Sequence, residues 1–217
     1  MDLGLSGRTA VVISESGPFG PACASVLARE SARVVLVVAD PPKVATTDPR
    51  VRVVGGGLAE GATVVANLID EVGHLDVVVV CHPLREARSV LSVTRPEELF
   101  DAWDAVVLTV AAYQAAIPSM IAQERGRLVA VTTTATKWLS DASDDVGAMV
   151  GLGLLGMHKA AVADVSPMGV TANAVLAEAR NDPEEVASLV AFLSSEHAGY
   201  LDGIAVGMDG ATSPVMF

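Results

Sequence analysis

The sequence is poor in aromatic residues and in positive charge. Aromatic residues make up 4% of the 217 residues, so few flat side chains exist on which nucleic-acid bases could stack. Asp and Glu number 26 against 14 Lys and Arg, and the resulting net charge of −12 would repel a polyphosphate backbone. We therefore expect no nucleic-acid partner.

Cysteine is also scarce, and no strongly basic, then apolar leader precedes Gly7. Cys23 and Cys81 are too few for a disulfide framework. The uncharged stretch Val146 to Met157 is shorter than the roughly 18 residues of a membrane span and is interrupted by glycines. These absences favour a cytoplasmic chain without a membrane segment.

What the sequence has in abundance is short apolar runs rich in β-branched residues. Most are continuous rather than alternating, which is typical of strands covered on both faces. Segments with apolar residues at helical spacing lie between them. The predicted strands are Thr9–Ser14, Arg33–Ala39, Val51–Val54, Leu75–Val80, Arg127–Thr132, Val170–Val175 and Ile204–Asp209, and the predicted helices are Pro18–Ser31, Ala59–Val72, Pro96–Gln123, Val146–Val165 and Pro183–Ser195.

This alternation predicts an α/β fold, a single Rossmann-type doubly wound parallel β-sheet of about seven strands flanked by helices. With 51% hydrophobic residues, the chain can bury a substantial core, and its length suits one domain over residues 1–217. Two helix starts carry capping signals: Thr94 with Glu97, and Asp182 followed by Pro183.

Several strings, in their order and spacing, resemble the short-chain dehydrogenase/reductase family along almost the whole chain. They are Val26-Leu27-Ala28-Arg29-Glu30, Ala32-Arg33-Val34-Val35-Leu36, Gly73-His74-Leu75-Asp76-Val77, Trp103-Asp104, Gly126-Arg127-Leu128-Val129, Val170-Thr171-Ala172-Asn173-Ala174-Val175, Pro183-Glu184-Glu185-Val186-Ala187 and Asp209-Gly210. The resemblance implies the family fold, but function has to be argued from the site.

The first functional motif of the family is a glycine-rich turn after the first strand, which lets the backbone approach a dinucleotide pyrophosphate. The resemblance places Ile13, Ser14, Pro18 and Gly20 at its four motif positions. Pro18 removes a backbone N–H and Ser14 adds a side chain, so we expect dinucleotide binding to be weak or absent. In a shifted alignment, Gly17 replaces the middle glycine.

Asp40 ends the second predicted strand, where an acid in NAD-type members hydrogen-bonds the adenosine ribose. The alternative is a solvated turn residue before Pro41. We therefore expect no cofactor, with weak NAD binding as the alternative.

The family's chemistry rests on Ser, Tyr and Lys, with an Asn on an earlier helix. The resemblance places Thr133 at the serine, but Val146, Val150 and Val110 at the tyrosine, lysine and asparagine. The chain's two tyrosines, Tyr113 and Tyr200, lie far from that segment in sequence. This spacing predicts a homologue without the catalytic residues.

The family's substrate lid follows the sixth strand. Here residues 176–182 run almost directly to the Asp182 cap, which predicts that the lid is deleted.

The residues at the carboxyl ends of the predicted strands could also serve a different reaction. His82, with Cys81, Thr132, Thr133 and Lys137 nearby, could serve a lyase, dehydratase or hydrolase; alternatively, His82 and Cys81 fill a collapsed nucleotide pocket. The carboxylates of Asp141, Asp144 and Asp145 could bind a cation or be solvated. No Cys/His spacing indicates a metal, and we interpret the remaining histidines as surface residues: His74, His158 and His197.

The resemblance also implies association, because in this family helices 96–123 and 146–165 and strand 204–209 contact other subunits. Gly147, Gly151, Gly153 and Gly156 would allow close helix approach. Three hypotheses for the function follow. The chain is an inactive homologue that acts as a structural or regulatory subunit of a heteromeric oxidoreductase, an atypical non-redox enzyme of a biosynthetic pathway, or a residual NAD(P)-dependent oxidoreductase. We favour the first hypothesis, in which the chain forms a homo- or hetero-oligomer with members of the same family.

Overall fold

Seven parallel strands form the centre of the chain in a computed structural model, which describes residues 2–43, 48–83, 95–138 and 145–210. The sheet order is β3-β2-β1-β4-β5-β6-β7. The strands are β1 (Thr9–Ser14), β2 (Arg33–Val38), β3 (Val51–Gly55), β4 (Val77–Cys81), β5 (Gly126–Thr133), β6 (Val170–Ala177) and β7 (Ala205–Gly207).

In the described part of the chain, five α-helices cover the two faces of the sheet. They are α1 (Phe19–Arg29), α2 (Leu58–Val72), α3 (Pro96–Ala122), α4 (Asp145–Val165) and α5 (Pro183–Leu193). Helices α1 and α5 bury their apolar residues in one core cluster, and α2, α3 and α4 bury theirs in the other. The doubly wound fold predicted from the sequence is therefore confirmed.

The middle residues of the central strands are mostly apolar because each strand faces helices on both sides. In β1, Ala10 and Val12 belong to the cluster under α1 and α5, whereas Val11 and Ile13 belong to the cluster under α2, α3 and α4. Successive strand side chains point to opposite faces, so a strand between two helical layers needs no polar residues.

The predicted boundaries differ from the structure by one or two residues at most ends. Strand β4 begins at Val77, not Leu75, because the Asp76 carboxylate accepts a hydrogen bond from the Thr9 N–H (2.9 Å) and pairs with Arg125 before the strand starts. The Asp182 cap is confirmed, as its side chain accepts from the Glu184 N–H at 2.9 Å. Thr94 lies outside the described residues, and Arg95 is the N-cap of α3.

Among the described residues, two helical stretches, Pro96–Ala122 and Asp145–Met168, are long and apolar enough to cross a membrane by length and composition alone, a test that the core helices of soluble proteins also pass. The sequence reasoning considered only Val146 to Met157 and passed over the uncharged run from Ala105 to Gln123. One side of each helix packs against the sheet, which explains part of this apolarity.

The connection between β6 and α5 spans only residues 178–182. The Glu178 N–H donates to the Asn181 side-chain oxygen (2.6 Å), and the Thr134 hydroxyl donates to the Glu178 carboxylate (3.1 Å). The first hydrogen bond closes the turn, and the second attaches it to the residue after β5. No further segment is inserted between β6 and α5.

Candidate functional site

The carboxyl edge of the sheet between β1 and β4 is where the strand order reverses, and ligand sites of open α/β sheets lie at this point. Strand β1 ends here at Ser14, β4 at Cys81 and β5 at Thr133. The first turns of α1 and α4 begin at the same edge. The structure therefore brings together most of the site positions predicted from the sequence.

The turn after β1 is closed by a side chain. A β-carbon built on Gly20 would lie 2.3 Å from the Cβ and 2.5 Å from the Oγ of Ser14, so Ser14 packs directly against the first turn of α1. Ser14 is 1% exposed. This close contact between Ser14 and α1 requires a glycine at position 20.

The first turn of α1 also lacks hydrogen-bond donors. Pro18 is the N-cap, and Pro21 stands at the third helical position; neither has a backbone N–H. A helix N-terminus binds anions through its free N–H groups, so this one is depleted. Pro21 is a residue that the sequence reasoning missed, although it is visible in the sequence.

Gly17, the residue of the shifted alignment, lies in the left-handed region with φ +84°. A β-carbon there would meet no atom within 4 Å. Gly17 therefore serves the turn between β1 and α1, while the close approach to the helix is made at Gly20.

Carboxylates surround the outer part of this loop. Asp40 is exposed just beyond the end of β2, and Glu15 follows β1, the adjacent strand. The Glu60 carboxylate accepts the Gly57 N–H at 2.7 Å, and a β-carbon on Gly57 would lie 3.5 Å from the Glu15 Cγ. The local charge at this edge is negative.

A small cleft of about 20 Å³ lies at the carboxyl ends of β4 and β5. Its described lining residues come from the ends of β4 and β5 and from α3 and α4: His82, Pro83, Ala102, Ala105, Thr132, Thr133, Gly147 and Val150. His82 and the two threonines are therefore brought together, as predicted. Lys137 is not among them; its Nζ lies 3.8 Å from a β-carbon built on Gly207 in β7.

The orientation of His82 follows from its neighbour on α3. The Thr109 hydroxyl donates its only hydrogen to the Ala105 carbonyl (2.7 Å), so it accepts at its 3.1 Å contact with His82 Nε2. His82 therefore carries its proton on Nε2, and Nδ1 is a lone pair. Burial, together with nearby His158, lowers the pKa of His82 to about 3, which keeps the ring neutral.

The positions that the resemblance assigned to catalysis hold apolar groups, with one exception. Val146 and Val150 lie in the first turns of α4, 5% and 7% exposed, and Val150 lines the cleft. Val110 is half-buried on α3. The Thr133 hydroxyl oxygen accepts from the Ala135 N–H at 3.1 Å, which leaves its hydrogen available to a ligand.

The tyrosines do not reach the cleft. Tyr113 is buried between α3 and α4, where its hydroxyl lies 3.1 Å from His158 Nε2 and the rings stack with centroids 5.6 Å apart. Tyr200 is fully exposed elsewhere. Within the described residues, the cleft is lined by no tyrosine and no lysine.

The interpretation of His158 as a surface residue is wrong. It is 3% exposed, and burial lowers its pKa to about 4, although Asp202 acts in the opposite direction. The signal was in the sequence: Val146, Val150, Leu154 and His158 recur every four residues and share one helix face. His197 is exposed and His74 is half-exposed, as predicted.

The other candidate groups lie elsewhere or outside the described residues. Cys23 and Cys81 are free and buried, and the neighbouring Cys81 and burial raise the pKa of Cys23. Asp145 begins α4, whereas Asp141 and Asp144 lie outside the described residues. Among the described residues, no group of three His, Cys, Asp or Glu side chains could hold a metal ion.

Comparison with known proteins supports the resemblance. No protein-family model matches the chain. A 3-oxoacyl-[acyl-carrier-protein] reductase, FabG of Rickettsia bellii (strain RML369-C), is 23% identical over 95% of this chain and 97% of its own length. The sequence similarity thus extends over the whole length of a reductase.

Solved structures show the same fold. A short-chain dehydrogenase/reductase from Burkholderia xenovorans has a TM-score of 0.85 at 18% identity, over 95% of this chain and 96% of that one. YwfH, an NADPH-dependent reductase involved in bacilysin biosynthesis, has a TM-score of 0.79 at 21% identity, over 94% of this chain and 99% of that one. These structures show that the chain has the same fold, and the relatives named above include reductases.

Proposed function

We propose that this chain is a catalytically inactive short-chain dehydrogenase/reductase homologue that acts as a structural or regulatory subunit of a heteromeric oxidoreductase. The observation that carries the proposal is the valine pair on α4. Val146 and Val150 stand where the resemblance assigns the family's proton donor and its lysine, and the described lining of the cleft contains no tyrosine or lysine. Among its described lining residues, the cleft thus has no tyrosine and lysine to donate a proton to a carbonyl oxygen in the family's manner.

The loop after β1 supports the same proposal, because its residues do not fit a dinucleotide pyrophosphate. Ser14 fills the space beside Gly20, and Pro18 and Pro21 remove N–H donors from the first turn of α1. Glu15 follows β1 at the start of the loop and adds negative charge there, which would repel phosphate groups. We infer that the chain binds neither NAD(H) nor NADP(H).

A chain that catalyses no reaction would act by binding other proteins. The outer side of α3 and α4 is suited to such binding. Phe100 and Val107 on α3 are 71% and 52% exposed, and Leu152 on α4 is 58% exposed. We call these three residues the association face. Exposed apolar side chains grouped on two neighbouring helices are typical of protein interfaces.

Two glycines of α4 allow close packing against residues of this same chain. A β-carbon on Gly153 would lie 2.7 Å from the Trp103 ring, and one on Gly151 would lie 2.0 Å from the Thr136 hydroxyl. Gly156 differs from these two, because a β-carbon there would meet no atom within 4 Å. Gly156 could therefore admit a helix of another subunit.

Coexpression tests this proposal. The chain is produced together with catalytically complete family members from the same genome, and complexes are measured by size-exclusion chromatography with light scattering. We expect one such member to co-elute and to gain stability or activity. The double variant Phe100→Ser/Leu152→Ser should abolish co-elution, whereas Met168→Ser, an exposed apolar residue after α4, should leave it intact. Elution of the chain alone, with no effect on any member, would overturn the proposal.

A second candidate function, an NAD(P)-dependent reductase, is favoured by the reductases to which the chain is similar and by the hydroxyl of Thr133 at the end of β5. It requires a proton donor and a pyrophosphate site that the described residues of the cleft and loop do not supply. Calorimetric titration with NADPH and NADH separates the two candidates, because a reductase must bind one of them.

A further inference from the structure

Three arginines lie close together at the amino ends of the central strands, at the edge of the sheet opposite the cleft. Arg8 precedes β1, Arg125 precedes β5, and Arg127 is the second residue of β5. Arg8 and Arg125 each pair with two carboxylates, the buried one of Asp76 before β4 and the exposed one of Glu196 after α5. We call these five residues the arginine cluster. Its three positive and two negative charges sum to +1.

Arg127 is the member of the arginine cluster that lacks a counter-charge. Backbone carbonyls hold its side chain, since Nε donates to Ser195 (3.2 Å) and Nη1 donates to Gly126 (2.8 Å) and Gly169 (3.3 Å). The residue is only 8% exposed. Within the described part of the chain, the carboxylates of the cluster form their salt bridges with the other two arginines and none with Arg127.

The electrostatic surroundings of Arg127 indicate the same deficit. Burial and the neighbouring cations Arg125 and Arg8 lower the pKa of its guanidinium group. The carboxylates of Glu196 and Asp202 raise this pKa, but they do not restore the ordinary value. Buried charges in proteins are normally paired, so this arrangement points to an anion that the chain itself does not supply.

All five residues of the arginine cluster line a cavity of about 10 Å³. This volume has room for about one water-sized group, so phosphate, sulfate and carboxylate ligands are too large for it. Glu196 is the exposed member of the lining, and its side chain can shift to admit a monatomic ion slightly larger than water. The anion that fits is therefore monatomic, and chloride is the common one in aqueous solution.

The protein's net charge of −12 does not exclude an anion at this place. Salt screens exposed charges that are farther away than about 8–10 Å, so the nearby residues determine the local field. Each guanidinium group also carries five N–H donors, more than the hydrogen bonds described for these arginines use. The arginine cluster thus offers both positive charge and hydrogen-bond donors.

We propose that this cavity binds a chloride ion, which supplies the counter-charge that Arg127 lacks. The guanidinium groups of Arg8 and Arg125 complete the site. The bound ion joins the segments that precede β1, β4 and β5 to the segment that follows α5, and it stabilises the folded chain by mass action. The site does not depend on the subunit role proposed above, because it lies apart from the association face and from the cleft.

Thermal unfolding in two sodium salts of equal ionic strength tests the proposal. Chloride fits the cavity, whereas gluconate has the same charge but is too large. We expect the unfolding midpoint to be about 2–4 °C higher in chloride, the shift for a ligand present at about tenfold its dissociation constant. General salt effects favour the more strongly hydrated gluconate, so a higher midpoint in chloride indicates binding.

Two matched charge variants at opposite ends of α5 make the test specific. Glu196→Gln raises the charge of the arginine cluster from +1 to +2 and should strengthen chloride binding by up to about fivefold. Glu184→Gln removes an exposed carboxylate that pairs with Arg29 at 2.7 Å, and it should leave the chloride dependence unchanged. Arg127→Met should abolish the chloride effect, and if this variant does not fold, the two glutamate variants decide.

Crystals soaked in sodium bromide give a direct readout, since bromide replaces chloride and scatters anomalously. We expect an anomalous peak in the cavity beside Arg127. Equal midpoints in chloride and gluconate, the same chloride dependence in Glu196→Gln and Glu184→Gln, or no bromide in the cavity would overturn the proposal. A bromide peak without any chloride effect on unfolding would mark an adventitious ion only and would also overturn it. None of these outcomes bears on co-elution with a partner, so the two proposals fail separately.

Discussion

Ser14 and Gly20 are in such close contact that any side chain at position 20 would collide with Ser14: an added β-carbon would lie 2.3 Å from the Ser14 Cβ. In related folds, the turn after the first strand leaves room for a nucleotide. Here the Ser14 side chain occupies that space. Since Ser14 ends β1 and Gly20 lies in the first turn of α1, this contact also sets how closely the helix approaches the sheet.

This contact predicts a specific coupling between the two positions. Gly20→Ala should lower the free energy of unfolding by about 2–3 kcal/mol through overpacking. Ser14→Gly should cost about 0.5–1 kcal/mol alone, yet it should rescue part of the Gly20→Ala defect by making room. Urea denaturation of the two single variants and the double variant gives the coupling energy. Purely additive effects would contradict the close contact.

A second prediction concerns α4, where two glycines have opposite surroundings. A β-carbon on Gly151 would lie 2.0 Å from the Thr136 hydroxyl, which donates to the Thr133 carbonyl at 2.7 Å. Gly151→Ala should therefore destabilise by about 1–3 kcal/mol. Gly156→Ala, in open space on the same helix, should stabilise the isolated chain by about 0.5–1 kcal/mol. Thermal unfolding of both variants measures the contrast, and similar effects of the two would refute it.

The Tyr113–His158 pair gives a third prediction. Tyr113→Phe keeps the ring stacking but removes the hydroxyl that lies 3.1 Å from His158 Nε2. It should lower the free energy of unfolding by about 1–2 kcal/mol, because a buried nitrogen loses its partner. Tyr200→Phe, at the fully exposed tyrosine, is the matched control and should have no effect in the same urea titration. If both variants behave alike, the buried hydrogen bond contributes nothing.

The buried histidines predict how stability depends on pH. Burial lowers the pKa of His82 to about 3 and that of His158 to about 4, against the ordinary value of 6.5. Between the folded and ordinary values the unfolded chain binds more protons, so stability is complete above about pH 6.5 and falls as the pH drops toward 4. Each histidine adds a slope of up to about 1.4 kcal/mol per pH unit.

Two histidine variants separate the contribution of the buried histidines to the pH dependence of stability from that of other titratable groups. His158→Gln should reduce the pH slope of the unfolding free energy by nearly one proton. His197→Gln, at an exposed histidine, should leave the slope unchanged. An unchanged slope in His158→Gln would mean that this imidazole is not kept neutral by burial.

The fold could be predicted from the sequence because continuous apolar strands such as Val77–Cys81 have few other uses in a chain of this composition. The burial of His158 could be inferred only from its four-residue spacing to Leu154 and Val150. Apolar residues occur on all sides of α4 between Val146 and Met157, so hydrophobicity alone does not single out this face. The Ser14 contact and the His82 tautomer depend on neighbours distant in sequence, Gly20 on the next helix and Thr109 on α3.

Native mass spectrometry of the chain, purified from its own cells with its partners attached, tests the central claim most directly. The account predicts a complex of this chain with a different short-chain dehydrogenase/reductase, with as many bound dinucleotides as there are copies of the partner and none for this chain. One dinucleotide for each copy of this chain, or an assembly made only of this chain and its cofactor, would contradict it.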